Sequence, residues 1–242
     1  MNLEQKTAVV TGASSGIGRA IAQELAKEGV HIILSARREG ELFKTKAKIE
    51  EAGGKADVIS ADMGNPASLR ELVSQITSKV EKIDFLFNVA GIGYYKSIEE
   101  ISKEEWDNTL AVNLSAPLFL TQGLLDLLRK SSESLVVNIG SGMGKNPVYP
   151  ERIGYVASKF GLRGLSLALS RYFEGKSPRV CLLTLGSVLT NFGPGGLEGR
   201  IKKQEEGKKY YTPEWVAQKL IELIKNDKIQ DEITMLPTEQ LK

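Results

Sequence analysis

The chain has 242 residues, of which 41% are hydrophobic and 26% are charged, and its formal net charge at pH 7 is +2. These values are typical of a globular protein that fits in one large α/β domain, and the small net charge argues against a nucleic-acid partner. The single cysteine, Cys181, and the single histidine, His31, exclude a disulfide framework and argue against a metal site. His31 precedes an apolar run and is interpreted as a strand-end residue rather than as a catalytic base.

The N-terminus, MNLEQKTAVV, has no basic region followed by a long apolar core, and no apolar run approaches membrane-spanning length. A secretory leader and a membrane anchor are therefore not expected. We predict a soluble, cytoplasmic protein without a membrane partner.

Short apolar runs alternate with longer amphipathic segments along almost the whole chain. Apolar and β-branched residues without clean alternation predict strands covered on both faces at 7–10, 31–35, 56–60, 83–87, 135–139, 179–185 and 232–236. Helical patterns lie between them at 16–28, 39–52, 66–80, 103–130, 154–174 and 213–226. This alternation predicts an α/β fold with a doubly wound parallel sheet of about seven strands and helices on both faces.

No repeat, low-complexity linker or change in composition marks a domain boundary, so residues 1–242 are predicted to form a single domain. Residues 191–211 interrupt the regular alternation, because GPGGLEG is followed there by a charged helical stretch. This segment is interpreted either as a substrate lid or as an ordinary surface insertion.

A glycine-rich loop, TGASSGIG, follows the first predicted strand and opens the first predicted helix. Gly12, Gly16 and Gly18 allow a tight turn that lets backbone N–H groups approach a pyrophosphate at the positive end of the helix. No Gly-Lys-Ser/Thr follows, so the loop is not a P-loop. The strand–loop–helix context predicts a Rossmann-type dinucleotide site at the carboxyl ends of the parallel strands.

The end of the second predicted strand indicates which dinucleotide is bound. The chain reads SARR there, so no acid is present to accept from a ribose 2′-hydroxyl, and Arg37 and Arg38 follow at once. Guanidinium groups suit a 2′-phosphate, which favours NADP(H). The alternative of a surface position applies more readily to Arg38 than to Arg37.

Tyr155 and Lys159 are separated by one helical turn in the segment YVASK. On one helix face, the ammonium group of the lysine would favour ionisation of the phenol. By itself the segment also fits an exposed helix face without chemistry.

Asn113 lies in a helical pattern four residues before Pro117. Because proline has no N–H, the carbonyl group of Asn113 loses its helical partner and a kink is expected. The freed carbonyl could hold a water molecule, although a kinked core helix without that role is the simpler alternative.

With TGASSGIG, Asn113, Ser141 and YVASK in this order, the chain resembles the short-chain dehydrogenase/reductase family over nearly its full length. Further matches are Asp62, the segment 88–91 after the fourth predicted strand and the segment 186–190 after the sixth. The resemblance implies an NADP-preferring carbonyl reductase that acts on a small-molecule carbonyl or alcohol.

The resemblance also implies four catalytic residues: Asn113, Ser141, Tyr155 and Lys159. Tyr155 would protonate the substrate oxygen, Lys159 would lower the pKa of the tyrosine and contact the nicotinamide ribose, and Ser141 would polarise the carbonyl. Asn113 would hold the water of a proton relay. The implied cofactor-binding residues are Gly12, Ser14, Ser15, Gly16, Ile17, Gly18, Arg37, Arg38, Asp62, Met63, Asn88, Ala90, Gly91, Tyr155, Lys159, Gly186, Val188 and Thr190.

The sequence departs from the family pattern at Val89, at Leu185 and at the C-terminus, which lacks a Val-Asp-Gly-Gly ending. The last difference weakens assignment as a 3-oxoacyl-carrier-protein reductase, which remains an alternative. An acidic carrier would need a basic surface, for which the candidates are Arg129, Lys130, Arg163 and Arg171. An alternative of another class is an NADP-binding regulator without turnover.

Two further expectations concern the substrate pocket and self-association. Candidate residues for an apolar pocket are Tyr94, Tyr95, Met143, Tyr149 and Phe192, although core packing would explain them equally well. Small residues on two long helices, together with the family resemblance, predict a homodimer or homotetramer; these are Ala157, Gly161, Gly164 and Ala168.

Overall fold

One parallel sheet of seven strands organises the protein. The structure is a computed structural model and describes residues 1–146 and 150–236. The strands are β1 (Thr7–Thr11), β2 (His31–Ala36), β3 (Lys55–Ser60), β4 (Phe85–Asn88), β5 (Leu135–Ser141), β6 (Arg179–Leu185) and β7 (Glu232–Met235). Their order is β3-β2-β1-β4-β5-β6-β7, with every neighbouring pair parallel. The predicted strands are confirmed, and their bounds shift by up to two residues.

Helices cover both faces of this sheet, so the predicted doubly wound α/β fold is confirmed. They are α1 (Gly16–Lys27), α2 (Glu39–Glu51), α3 (Pro66–Lys79), α4 (Lys103–Leu110), α5 (Ala116–Gly123), α6 (Leu125–Arg129), α7 (Ile153–Tyr172), α8 (Gly196–Glu205) and α9 (Pro213–Lys225). Buried side chains of α1 and α9 belong to one apolar core, whereas those of α3 and α5 belong to a second. The near-continuous burial of the central strands follows from this double coverage.

Several helices begin where the sequence supplies a capping residue. Asn65 accepts from two backbone N–H groups at the start of α3, and the next residue is a proline. Ser102 and Glu105 form a reciprocal capping box at the start of α4. These local signals explain why the predicted starts of α3 and α4 agree with the structure.

The long helix predicted at 103–130 is interrupted. Between α4 and α5, residues Ala111–Ser115 form a π-helical turn in which the N–H of Ala116 donates to the carbonyl of Ala111. Pro117 cannot donate to the carbonyl of Asn113, which removes one bond of the α pattern at this point. The expected departure from α geometry is therefore present, and it takes the form of a π turn.

The predicted self-association depends on the surface formed by α5 and α7. Phe119 and Phe160 are 54% and 40% exposed on these helices. Gly161 serves packing within the chain, because a Cβ there would lie 2.9 Å from Leu114 Cδ2, whereas a Cβ on Gly164 would meet nothing within 4 Å. The homodimer or homotetramer stays a prediction.

Within residues 1–146 and 150–236, no helix is long and apolar enough to cross a membrane. The same ranges contain no cluster of three or more His, Cys, Asp or Glu side chains that could hold a metal ion.

Candidate active site

The glycine loop after β1 is so tight that it leaves no room for side chains at its glycine positions. Gly12 and Gly16 have positive φ angles of 66° and 53°, a region that glycine occupies at little cost. A Cβ on Gly18 would lie 2.5 Å from the carbonyl oxygen of Gly12, and one on Gly12 would lie 2.9 Å from the nitrogen of Ala90. The loop thus presents backbone, followed directly by the first turn of α1, as a phosphate cradle requires.

Arg38, rather than Arg37, reaches this loop. Its Nη2 donates to the hydroxyl groups of Ser14 at 3.2 Å and Ser15 at 2.9 Å. The side chain of Arg37 is exposed. Arg38 is also exposed and is the N-cap residue of α2, so the surface position expected for it is present together with its contact to the loop.

A third arginine, Arg19, was missed by the sequence analysis. Its Nη2 donates to the carbonyl of Ser14 and lies 3.1 Å from Glu41 Oε2. Its position directly after Gly18, in the first turn of α1, is the signal that could have identified it.

Loops after β4 and β6 enclose the glycine loop. The hydroxyl of Thr11 accepts from the backbone N–H groups of Val89 at 3.0 Å and Ala90 at 3.1 Å. On the other side, a Cβ on Gly16 would lie 3.1 Å from Thr190 Cγ2. Residues far apart in the sequence therefore meet at the carboxyl edge of the sheet, as predicted for a doubly wound fold.

Other candidate cofactor residues are held at the same edge. Asp62 accepts from the N–H of Gly64 at 2.9 Å, and Met63 is buried next to it. Gly186 donates to the carbonyl of Met235 at 2.8 Å, so the loop that follows β6 is tied to β7. Val188 is buried and forms a bridge with Tyr211. Leu185, the departure from the family pattern, is a buried residue of β6.

A buried chain of side-chain hydrogen bonds connects the sheet to α7. Asn88 Nδ2 donates to Asn138 Oδ1 at 2.8 Å, and Asn138 Nδ2 donates to Ser166 Oγ at 2.9 Å. All three residues are almost fully buried. Asn138 and Ser166 were missed by the sequence analysis, although an asparagine inside an apolar strand is a visible signal.

Asn113 connects three elements through its side chain. Its Oδ1 accepts from the N–H of Ile92 at 2.9 Å, and its Nδ2 donates to the carbonyl of Ile92 at 2.8 Å and to Ser158 Oγ at 2.9 Å. The Ser158 hydroxyl donates to the carbonyl of Tyr155 at 2.8 Å. The amide of Asn113 thus holds the loop after β4 and the first turns of α7 in register with the π turn.

Ser141, Tyr155 and Lys159 are brought together from β5 and α7. Ser141 is the last residue of β5, and the other two lie in the first two turns of α7. Tyr155 and Lys159 are only 8% and 6% exposed. Lys159 Nζ donates to the carbonyl of Ile139 at 2.7 Å and lies 5.7 Å from the centre of the Tyr155 ring. The alternative of an exposed helix face is therefore wrong.

Burial dominates the acidity of both groups. It raises the pKa of Tyr155 to about 12, against the opposing effects of the Ser141 hydroxyl and of the guanidinium groups of Arg152 and Arg200. Burial also lowers the pKa of Lys159 to about 8. The expectation that Lys159 lowers the pKa of the tyrosine is not met in this structure. The physical reason is that desolvation disfavours both charged forms, while the ammonium group is directed to the carbonyl of Ile139.

Aromatic side chains cover Tyr155. The ring centres of Tyr95 and Phe192 lie 6.2 and 5.5 Å from that of Tyr155. Met143 lies close by, with its sulfur 3.5 Å from Arg152 Nη1. The hydroxyl of Tyr94 accepts a hydrogen bond from Asn108 Nδ2 at 3.0 Å.

Tyr149, the remaining pocket candidate, lies outside the described residues. Phe192 belongs to the segment 191–211, which includes α8 and thus contributes to the cover of the tyrosine. A function of this segment as a substrate lid stays a prediction.

The basic residues considered for an acidic carrier do not form one surface at the site. Lys130 lines a surface cavity with Thr7, the first residue of β1, at the opposite edge of the sheet. Arg163 pairs with Glu232 at 3.0 Å, and Arg171 pairs with Glu174 at 3.4 Å. Arg129 ends α6 and is the neighbour of Lys130 in the chain.

A family model described as short chain dehydrogenase matches residues 6–195 of the chain. A 3beta-hydroxysteroid dehydrogenase of Mediterraneibacter gnavus is 35% identical over 168 residues, which are 69% of this chain and 60% of that protein. The aligned region thus spans less than two thirds of this relative. A D-beta-hydroxybutyrate dehydrogenase of Rhizobium meliloti is 32% identical over 188 residues, which are 76% of this chain and 72% of that protein.

The fold is also similar to that of solved structures. A short chain dehydrogenase from Burkholderia cenocepacia, solved in complex with NADP, is 27% identical to this chain. The two structures superpose with a TM-score of 0.86 over 98% of each chain.

Proposed function

Since the chain belongs to the short-chain dehydrogenase family, we propose that it is an NADPH-dependent oxidoreductase that reversibly reduces a carbonyl group to an alcohol. The observation that carries this proposal is a convergence at one edge of the sheet. The glycine loop with Arg38 lies at the carboxyl ends of the strands, and so does the group of Ser141 with the buried Tyr155 and Lys159. This is the edge at which doubly wound sheets bind their ligands.

The residues of the glycine loop suit a dinucleotide. Positive φ angles at Gly12 and Gly16 keep the loop free of side chains, and the start of α1 adds partial positive charge for a pyrophosphate. Arg38 supplies a guanidinium group beside Ser14 and Ser15, which suits a 2′-phosphate and favours NADP(H) over NAD(H). When bound, the nicotinamide cofactor supplies or accepts the hydride.

Tyr155 is the proposed proton donor. A pKa of about 12 keeps its phenol protonated at neutral pH, which is the form needed to protonate a developing alkoxide. In our proposal Ser141, at the end of β5, orients the carbonyl oxygen towards the phenol. The reverse reaction requires the phenolate and is therefore expected to become faster as the pH rises.

Lys159 and Asn113 are proposed to support the proton transfer. With a pKa of about 8, Lys159 can exchange a proton near neutral pH and resupply the phenol. Asn113 aligns the start of α7 through Ser158, and so positions both Tyr155 and Lys159. The water of the proposed relay would be held at the π turn.

The test is a turnover screen of aldehydes, ketones, quinones and acyl thioesters with NADPH and with NADH. We expect carbonyl-dependent oxidation of NADPH that exceeds that of NADH. Binding of NADPH is measured in parallel by isothermal titration calorimetry. Tight binding without turnover of any carbonyl class would contradict the enzyme proposal and favour the regulator.

Selective turnover of acyl thioesters would favour the alternative of a 3-oxoacyl-carrier-protein reductase. The positions of Arg129, Lys130, Arg163 and Arg171 argue against that outcome, because they do not form a common basic surface beside Tyr155.

A further inference from the structure

Two arginines that the proposed mechanism does not use lie beside the cover of Tyr155. Arg152 directly precedes α7, and Arg200 lies in α8 of the segment 191–211. Their guanidinium groups approach from different elements, and both are only partly exposed. The two cations flank the aromatic side chains that cover Tyr155, and they bear on the kind of substrate that the proposed site would accept.

Arg152 packs against one of the aromatic side chains that cover Tyr155, that of Tyr95. Its guanidinium carbon is 4.5 Å from the centre of the Tyr95 ring, and its Nη1 is 3.5 Å from the sulfur of Met143. The Tyr95 ring is in turn 6.2 Å from that of Tyr155. Stacking on a ring holds the plane of a guanidinium group, and its positive charge stays beside the aromatic residues that cover Tyr155.

Arg200 contacts Phe192, the second aromatic residue that covers Tyr155. Its Nη2 donates to the carbonyl of Phe192 at 2.6 Å, and the Phe192 ring packs 5.5 Å from Tyr155. Its Nε is buried, and no group of the described residues accepts a hydrogen bond from it. An unpaired buried donor is costly, so an acceptor that completes this site would be bound favourably.

The electrostatic effect of both arginines reaches the catalytic phenol. Each guanidinium group acts to lower the pKa of Tyr155, although burial raises it overall. The same two groups act on Tyr95 in the same direction, again against a larger effect of burial. The nearest acids along the chain, Glu151 and Glu198, are exposed.

We propose that the physiological substrate is a carbonyl compound that also carries an oxyanion, either a carboxylate or a phosphate. In this proposal Arg152 and Arg200 bind the oxyanion. The inference rests on the proposed carbonyl reduction at Tyr155 and adds the substrate class. Guanidinium groups bind both oxyanions through paired, charge-assisted hydrogen bonds. The aromatic residues between the arginines and Tyr155 would contact the apolar part of the substrate.

The first experiment compares matched substrate pairs with NADPH. The pairs are 4-formylbenzoate with its methyl ester, acetoacetate with its methyl ester, and dihydroxyacetone phosphate with dihydroxyacetone. For the wild type we expect kcat/KM to be at least about tenfold higher for the charged member of at least one pair. The pair with the larger ratio distinguishes a carboxylate from a phosphate.

Substitutions assign this preference to the arginines. In Arg200→Gln and, separately, in Arg152→Gln, the charged-to-neutral ratio of kcat/KM should fall about tenfold, mainly through KM. Arg200→Lys, which keeps the charge and loses the planar group, should give an intermediate ratio. Arg171→Gln is the control, since Arg171 is exposed near the far end of α7 and pairs with Glu174. A ratio that is unchanged in both glutamine variants would overturn the inference.

A binding measurement separates this inference from the proposed function. Terephthalate, which has no reducible carbonyl, is titrated calorimetrically into the NADPH-saturated wild type, Arg200→Gln and Arg152→Gln. Binding that is lost in the variants supports the anion site even if no carbonyl is reduced, in which case only the reductase proposal fails. If neutral carbonyls are reduced as well as charged ones and terephthalate does not bind, the inference is wrong and the reductase proposal stands.

Discussion

The proposed cofactor cradle and the proposed catalytic cluster lie at the same edge of the sheet but differ in their exposure to solvent. The cradle consists of the loop 11–18 with Arg38, whose side chain is exposed. The catalytic cluster consists of Asn113, Ser141, Tyr155 and Lys159, and three of these four residues are buried. Backbone geometry and exposed hydrogen bonds therefore govern the cradle, whereas desolvation governs the cluster.

This difference predicts unequal consequences of substitution. A buried group has lost its hydration, so its removal leaves unsatisfied partners or changes a shifted pKa. An exposed hydrogen bond is replaced by water at small cost. We therefore expect substitutions of buried groups, in the cluster and in the hydrogen-bond chain behind it, to have larger effects than a substitution in the cradle, and the four predictions below test that order.

The largest effect is expected for Tyr155→Phe. Loss of the only proposed proton donor should lower kcat by about 10²- to 10⁴-fold, a typical contribution of general acid catalysis. The aromatic ring and its packing against Phe192 are retained, so the dissociation constant of NADPH should remain nearly unchanged. Steady-state kinetics and calorimetry measure the two quantities.

The matched control is Tyr172→Phe, because Tyr172 ends the same helix and is 69% exposed. Its kcat should equal that of the wild type. If Tyr155→Phe retained most of the wild-type activity, Tyr155 would not be the proton donor.

The buried ammonium group of Lys159 should make folding stability depend on pH. Its pKa is about 8 in the folded protein and 10.5 ordinarily, so between these values the unfolded chain binds the proton that the folded chain has released. Stability therefore rises with pH in this window. Relative to Lys159→Met, the wild type should gain about 2 kcal/mol in free energy of unfolding between about pH 8 and about pH 10.

Urea denaturation of both proteins without cofactor measures this difference. The pH range of these measurements ends near pH 10 because Tyr155 has the opposite effect at higher pH. Its raised pKa makes the free energy of unfolding fall between pH 10 and about pH 12. Parallel pH curves for the wild type and Lys159→Met would show that the lysine is not desolvated.

An effect of similar or smaller size is expected for Asn138→Ala. The substitution leaves the buried amide of Asn88 without its acceptor and the hydroxyl of Ser166 without its donor. The free energy of unfolding should fall by about 2 kcal/mol, as measured by urea denaturation.

Asn226→Ala is the control for this change, since Asn226 is exposed and makes one side-chain bond, to the carbonyl of Glu222. Asn226→Ala should lower the free energy of unfolding clearly less than Asn138→Ala does. Equal losses for the two variants would mean that burial does not strengthen the hydrogen-bond chain.

The smallest effect is expected in the cradle, for Arg38→Ala. This change should weaken NADPH binding by about tenfold, with little effect on NADH, because one charge-assisted contact contributes about 1.5 kcal/mol. Calorimetric titration of the wild type, Arg38→Ala and Arg37→Ala with both cofactors measures the change. A larger loss for Arg37→Ala would show that Arg37, and not the Arg38 that contacts Ser14 and Ser15, recognises the phosphate.

Features that depend on local backbone chemistry were predictable from the amino-acid sequence alone. Apolar runs between amphipathic segments predicted the seven strands and the double coverage of the sheet, because strands buried on both faces must be apolar throughout. Glycine spacing predicted the loop before α1, since its positive φ angles exclude most other residues. Pro117 predicted a departure from α geometry at Asn113, because the missing N–H is a property of one residue.

Features that depend on neighbours distant in the chain could be recognised only from the folded protein. The contact of Arg38 with Ser14 and Ser15 depends on how the turn after β2 approaches the glycine loop. The high pKa of Tyr155 depends on its burial beneath Tyr95 and Phe192, which no local pattern encodes. The physical reason is that desolvation depends on all surrounding atoms, whereas turns and helix ends depend on a few consecutive residues.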